Sequence, residues 1–464
     1  MKQLDVLVIG GGLLGCFAAR ALCRWQLSVG LAEAANDVCT GISRANSAIV
    51  YAGYDNKPGS KKAQMTVRGN ARMEDLCREL DVPFSRCGSL LVSCSRETNG
   101  FLEKKLRNGK ENGVPGLQLL SGEEARQLEP MLTEQVQAAL YAPSTGTVNP
   151  WQLGIAAYEN AIHNGCEVFL NTAVLDITKD QSGYVVQTNR EPIRCRAIVN
   201  CAGLSADRVQ ELLFPPSVRL RLDAADYLVL DPRAKKPGRI IFHQAQTCGK
   251  GVTAIPCTEG NLLLSGTRRP LEGSFSTTEE GLQALRANTA ALLPEADLNA
   301  VIRSFGAVRP NPYRVGEEER SLGDFCIETP APNFISFIGI KTPGLTCAAE
   351  LGRHAAEQLA ANLHAEPNHN FDPNRKSIVQ FRELPPNEQA ALAAKDSGYG
   401  EIICQCEQVT SAEIREAIAR GAVTVDGIKR RTGCGMGRCQ GSRCRQKMEE
   451  LLCTQAEPLR RGIL

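Results

Sequence analysis

Five cysteines, Cys404, Cys406, Cys434, Cys439 and Cys444, fall between Glu401 and Leu452. The run Cys404-x-Cys406, then 32 residues, then Cys439-x4-Cys444 supplies four thiolates in two close pairs. That is the inventory of one [2Fe–2S] cluster, and the same four could hold a zinc ion, so spacing alone leaves both open. Gly433-Cys434-Gly435-Met436-Gly437 precedes the second pair. Such small residues let backbone N–H groups approach cluster sulfurs, where hydrogen bonds raise a reduction potential.

At the other end of the chain, Gly10-x-Gly12-x-x-Gly15 follows an apolar stretch, Asp5 to Ile9, and opens a helical run to about Trp25. Glu33 ends a second strand-like run from Leu27, 18 residues past Gly15. Gly10 permits the tight turn, Gly12 lets backbone approach a pyrophosphate, Gly15 lets helix pack on sheet, and the helix start faces the negative charge. Glu33 suits a ribose diol, so the pattern predicts an adenosine dinucleotide without a 2′-phosphate. FAD is favoured over NAD by two further turns, Asn200-Cys201-Ala202-Gly203 and Gly339-Ile340-Lys341-Thr342-Pro343-Gly344. A helix starting near Leu345 would aim its free N–H groups at whatever lies above Gly344, which stabilises an anionic reduced flavin; the bland reading is an ordinary Pro-Gly turn.

The elements that must position these groups read as an α/β chain. Strand Asp5–Ile9 and the strand from Leu27 are followed by helices over about Lys61–Leu80 and Trp151–Gly165, then a strand Ile198–Ala202. A region from about Arg219 to Arg309 is β-rich, with runs such as Gly260–Gly266 between turns. A strand near Phe334 and a helix of about twenty residues resume the α/β layer. From about Ala365 to Gly400 the composition turns to Pro, Asn and charge, the pattern of a tether with one short helix. A separate module follows, with a helix-like stretch Ser411–Arg420.

Composition sets the outer limits. Lys+Arg at 53 against Asp+Glu at 51 gives a net charge of +2, too small for a nucleic-acid or acidic-membrane footprint. The 19 cysteines are an odd number and too sparse for a disulfide-stapled scaffold. Asp5 and three glycines interrupt any signal-like segment, and no uncharged apolar run reaches the ~18 residues of a membrane span. The expectation is a cytoplasmic protein with reduced thiols.

The segments VLVIGGGLLG, TGISRANSAIVYAGYDNKPG from Thr40, GKGVTAIPCTEGNLLLSGTRRP from Gly249, FGAVRPNP from Phe305 and GIKTPGLT from Gly339 resemble flavoprotein dehydrogenases and oxidases of the D-amino-acid-oxidase-like fold, in the glycerol-3-phosphate dehydrogenase and oxidase branch. The resemblance implies a Rossmann-type FAD-binding domain with an inserted mixed, β-rich substrate domain over residues 1–372. The FAD-binding parts would be about 1–80, 145–215 and 325–372, and the substrate parts about 81–144 and 216–324. It places Ser43, Asn46 and Ser47 along the flavin and Val174 at its adenine side, with Ala202, Gly203, Gly339, Gly344, Leu345 and Thr346 completing the cofactor set. Lys250, Arg309 and Thr342 would lie around substrate and flavin ring. A lysine and an arginine from different segments are what a carboxylate or phosphate substrate needs.

One position departs from the branch: Tyr51 stands where those enzymes commonly have histidine, the proton acceptor for an alcohol. A phenol with a reference pKa near 10 is a poor base at neutral pH. An amine or amino acid, which needs no such base, is therefore an alternative substrate. His243 is the one histidine worth naming as a replacement, and a structural role suits it better.

The segment ICQCEQVT…RTGCGMGRCQGSRC is similar to the bacterioferritin-associated-ferredoxin-like [2Fe–2S] domain fused behind the flavin domain in anaerobic glycerol-3-phosphate dehydrogenases. That resemblance implies ligands Cys404, Cys406, Cys439 and Cys444 with Cys434 as a spare thiol, in a small helical domain over 400–455 joined by a linker, 373–399. The function it implies is a dehydrogenase that oxidises a small anionic substrate, glycerol 3-phosphate or a 2-hydroxy acid. Electrons would pass through the cluster to a second flavoprotein or other acceptor subunit. A non-catalytic electron-transfer subunit is the remaining reading.

Overall fold

Strand Lys2–Ile9 is buried without interruption from Val6 to Ile9, the pattern of a central strand covered on both faces rather than an alternating one. It pairs in parallel with Val29–Ala32 on one side and Ile193–Asn200 on the other. Glu167–Phe169 extends the sheet beyond Val29–Ala32, and Phe334–Ile338 runs parallel to the far end of Ile193–Asn200. The near end of that strand pairs instead with Gly183–Thr188, in an antiparallel meander with Val174–Asp180. The computed structural model describes residues 1–95, 99–243, 251–271, 273–317 and 320–461. They divide into two compact units, Met1–Asn374 and Arg375–Leu464.

Helices Leu13–Leu22, Pro150–His163 and Gly344–Leu363 pack together on this sheet, with Lys61–Glu79 against the last of them. Their starts follow capping chemistry. Ser60 accepts from the Ala63 N–H, and Asn149 accepts from the Gln152 N–H just ahead of Pro150. Each cap satisfies one backbone donor that a helix start leaves free, and so fixes where the helix begins.

The first unit holds a second, nine-stranded sheet with a core of its own. Its spine is the long antiparallel pair Val218–Leu230 and Val301–Arg314, in which Asp223 lies directly opposite Arg309 and Tyr227 opposite Phe305. Those two rings stack at 4.7 Å between centroids. Ser89–Ser93 and Ala138–Ala142 join this sheet from earlier in the chain, so the β-rich layer is assembled from separate segments.

In the second unit, a hairpin of Ile402–Cys404 and Val409–Thr410 leads into helices Ser411–Ala419, Val425–Thr432 and Arg445–Arg461. Thr410 and Glu413 form a capping box at the first helix start. The expected linker over 373–399 is not a free tether. Ile378 is buried in this unit's core, Phe381 stacks on Tyr399 at 5.6 Å, and Asp396 pairs with Arg415 at 2.6 Å. A few apolar anchors spaced among Pro, Asn and charged residues suffice to hold it. Among the described residues no helix is long and apolar enough to cross a membrane.

Candidate active site and cysteine centre

The dinucleotide turn is built by close backbone approach. Gly10 has φ +103°, a left-handed conformation that glycine alone adopts freely. A Cβ on Gly15 would lie 1.8 Å from the Gly10 carbonyl oxygen, so helix and turn meet only because Gly15 has no side chain. Glu33 reaches back to this turn, its Oε2 accepting from the Gly11 N–H at 2.6 Å and its Oε1 from Ala35 at 2.7 Å. Ser43 Oγ accepts from the Leu13 N–H at 2.9 Å. Asn46 braces the same loop, donating to the Ser43 carbonyl and accepting from the Ala48 N–H, both at 2.9 Å.

From this turn a single cavity of about 420 Å³ runs to the second sheet. Gly10, Gly12, Glu33, Ser43, Asn46 and Ser47 line one end, and Ala202, Gly203, Thr342, Gly344 and Leu345 line its side. Tyr51, Asp223, Tyr227, Arg268, Arg309 and Lys341 line the far end. Four expected cofactor residues stand behind the wall rather than in it. Gly15 and Gly339 are close-approach points; a Cβ on Gly339 would meet Pro312 Cδ at 2.7 Å. Val174 packs at the sheet's apolar flank, and the buried Thr346 hydroxyl accepts from the Tyr51 N–H at 2.9 Å, tying the helix start to the Tyr51 loop. Lys250 lies outside the described residues.

The far end is rich in cations. Arg309 Nη1 donates to Thr342 Oγ1 at 3.3 Å, while its Nε is buried with no hydrogen-bond partner among the described residues. Burial first, then Arg268, pull the Arg309 pKa down. Arg268 pairs with Asp223 at 2.6 Å, and Asn311 donates to the same Asp223 Oδ2 at 2.9 Å. Lys341 Nζ donates to Asn311 Oδ1 and Ser321 Oγ, each at 3.0 Å. Burial, followed by Arg309, Lys62 and Arg268, pulls its pKa down to about 8. Loss of water around the Tyr51 hydroxyl pushes that group up to about 12, so the position offers no base. Asp223, Arg268 and Lys341 are not identifiable in the sequence because their partners lie 20 to 88 residues away.

In the second unit the Sγ atoms of Cys404, Cys434 and Cys444 lie within 4.8 Å of one another, all buried. Cys406 and Cys439, more exposed, are close enough to shift each other's titration. The Gly435 N–H points at Cys404 Sγ at 3.5 Å, and a Cβ on Gly437 would stand 2.6 Å from Cys406 Cβ, so the glycines let backbone close in on the sulfurs. A hydrogen bond from Cys434 holds the Cys404 thiol well below the usual range. The thiol expected to be spare, Cys434, thus stands in the buried group with Cys404 and Cys444, while Cys406 and Cys439, expected as ligands, lie outside that group; the all-thiol donor set suits an iron–sulfur cluster.

Taken together, a dinucleotide turn running into a cation-lined cavity, with a separate all-thiol centre, defines a flavin- and iron–sulfur-dependent oxidoreductase. Residues 5–358 match the FAD-dependent oxidoreductase family, and the chain belongs to it. Residues 402–453 match the BFD-like [2Fe-2S] binding domain, so the enzyme carries FAD and a [2Fe–2S] cluster. It is 37% identical over 462 residues to a glycerol 3-phosphate dehydrogenase of Caloramator mitchellensis, covering 98% of this chain and 94% of that one. It is 25% identical over 502 residues to the anaerobic glycerol-3-phosphate dehydrogenase subunit A1 of Haloferax volcanii, covering 98% and 83%. The dithionite-reduced, FAD-bound L-alpha-glycerophosphate oxidase of Mycoplasma pneumoniae superposes with a TM-score of 0.74 at 25% identity, over 81% of this chain and 99% of that one.

Proposed function

We propose that this enzyme oxidises glycerol 3-phosphate to the corresponding ketone and passes the electrons singly through its [2Fe–2S] cluster to an acceptor subunit. The observation that carries this reading is the charge at the far end of the cavity. Among the described residues Arg309 and Arg268 line it, with Lys341 a third, titratable nitrogen, against one lining carboxylate, Asp223. A dianionic phosphate ester offsets that excess, and the buried Arg309 Nε, without a partner among the described residues, gives it a waiting donor. FAD, when bound, accepts the hydride and divides the electron pair into single steps.

This chain's own residues would bind and orient the substrate. Arg309 and Thr342 would hold the anion, while the Ser47 hydroxyl, 3.5 Å from the Tyr51 hydroxyl, would present a polar edge to the rest of the substrate. The similarity to glycerol 3-phosphate dehydrogenases supports the substrate, and the name of the Haloferax volcanii relative, a subunit A1, supports a multisubunit acceptor.

The test is an anaerobic visible spectrum of the loaded protein before and after adding glycerol 3-phosphate, then 2-hydroxy acids and amino acids. Bleaching of the flavin bands by glycerol 3-phosphate is the expected result. Bleaching by an amine alone would transfer the enzyme to amino-acid oxidation, and no bleaching by any of them would favour a non-catalytic electron-transfer role.

A further inference from the structure

We infer that Lys341 is the proton acceptor for the substrate hydroxyl, working as a neutral amine at the far wall of the cavity. This rests on the alcohol reading above. An alcohol losing hydride must also give up its O–H proton, and a positioned base takes it. The cavity wall supplies few titratable groups among its described residues. Glu33 sits at the dinucleotide end with both oxygens accepting backbone N–H groups. Asp223 Oδ2 is held by Arg268 and Asn311. Burial pushes Tyr51, Tyr227 and Cys201 up, so each stays protonated. The arginines keep their charge.

Lys341 remains, and its geometry suits the task. Donating to Asn311 Oδ1 and Ser321 Oγ fixes two of its N–H directions. A neutral amine so held keeps a lone pair to receive a proton. Its chain neighbour Thr342 and the Arg309 guanidinium share the same wall, so an anion held there brings the rest of the substrate near Nζ. The charged groups facing the amine are Arg309, Lys62 and Arg268, which disfavour its protonated form together with burial, and Asp223, which opposes them weakly; the balance sits at about 8.

In the step itself the substrate O–H bond breaks and its proton joins the Nζ lone pair. The oxygen electron pair forms the carbonyl, and the C–H electron pair leaves as the hydride that the family's FAD takes. The ammonium then returns its proton to water. A base that must be neutral gives a rate that rises with pH through its pKa, the limb here falling near 8 and the plateau above it.

The test uses the full-length, FAD- and cluster-loaded enzyme, following flavin reduction by glycerol 3-phosphate across pH. In Lys341→Met and Lys341→Arg we expect the reduction rate to fall by roughly 10²- to 10⁴-fold and the alkaline limb to flatten, with methylamine in the buffer restoring part of the rate in Lys341→Met. Lys341→Arg keeps the cation without the base, so equal loss in both variants separates proton transfer from anion binding. A second readout needs no turnover: trace acylation of Lys341 against pH, read by mass spectrometry, should titrate near 8 and shift upward in Arg309→Met. Retained rate and limb in the variants would overturn the inference, as would a raised KM with kcat and its limb intact, which makes Lys341 an anion anchor. An ordinary lysine titration would overturn it independently of substrate. A wild-type flavin that glycerol 3-phosphate never reduces sinks the substrate reading instead, and is seen before any variant is made.

Discussion

Arg309 owes its place to a strand register, since it stands opposite Asp223 but leaves that carboxylate to Arg268 and Asn311. Among the described residues its Nε therefore has no hydrogen-bond partner, which is the condition under which a ligand gains most from supplying one. Replacing it by methionine should raise KM for an anionic substrate by roughly 10- to 100-fold, from the loss of about 1.5–3 kcal/mol of charge-assisted hydrogen bonding, and should weaken competitive inhibition by inorganic phosphate equally. An unchanged KM would remove Arg309 from the anion site. Cys434 presents a second test at this scale. It is the fifth thiol beside a centre that takes four, set against Cys404 and Cys444 and hydrogen-bonded to Cys404. In Cys434→Ala the cluster should persist by iron content and electron paramagnetic resonance, with a lower midpoint potential because a donor to a ligand sulfur has gone. Loss of iron would instead make Cys434 a ligand. Both residues stand out by type in the sequence; what it could not convey is which neighbour each one meets.

Elements divide by how local their instructions are. The strand, turn and helix of the dinucleotide site are legible because every requirement lies within residues 2–33: an apolar run, three spaced glycines and an acid. Helix starts at Ser60 and Asn149 are legible for the same reason. The ladder of Val218–Leu230 with Val301–Arg314 is not, since its partners are some eighty residues apart and alternation alone fixes no register. Asp223, Asn311 and Lys341 become one network only once that register and the Lys341 turn are set. The segment 373–399 is legible in part: its one short helix, Pro386–Lys395, is present, while the burial of Ile378 in the second unit's core depends on neighbours that composition does not name. The turn itself makes a firm prediction. In Gly15→Ala the new methyl falls 1.8 Å from the Gly10 oxygen, so helix and turn must separate. The purified variant should lose its flavin absorption while keeping that of the cluster, whose unit has a separate core. Retained stoichiometric FAD would mean that the turn tolerates the shift.

At the scale of the molecule, the two units each have what a folded, cofactor-bearing body needs. The core of the second draws only on residues between Ile378 and Leu452, and all five thiols of its centre are its own. The first holds the entire cavity, from Gly10 to Lys341, on residues before Asn374. On the proposed function, substrate oxidation and electron exit fall to different stretches of one chain, and a net charge of +2 gives no electrostatic pull toward any bulk partner, so an acceptor would have to be recognised locally. A chain ended after Asn374 should therefore bind FAD and be bleached by substrate at the full-length rate, yet contain no iron. Reductive titration distinguishes the two forms: the full chain should take up roughly three electrons, two on flavin and one on the cluster, and the shortened chain roughly two. After anaerobic mixing with substrate, the full chain should develop the paramagnetic signal of a reduced cluster following flavin bleaching, because on the proposed function electrons leave the flavin singly through the cluster. A cluster that stays oxidised while the flavin is fully reduced would place the exit of electrons elsewhere and leave the second unit with a structural role.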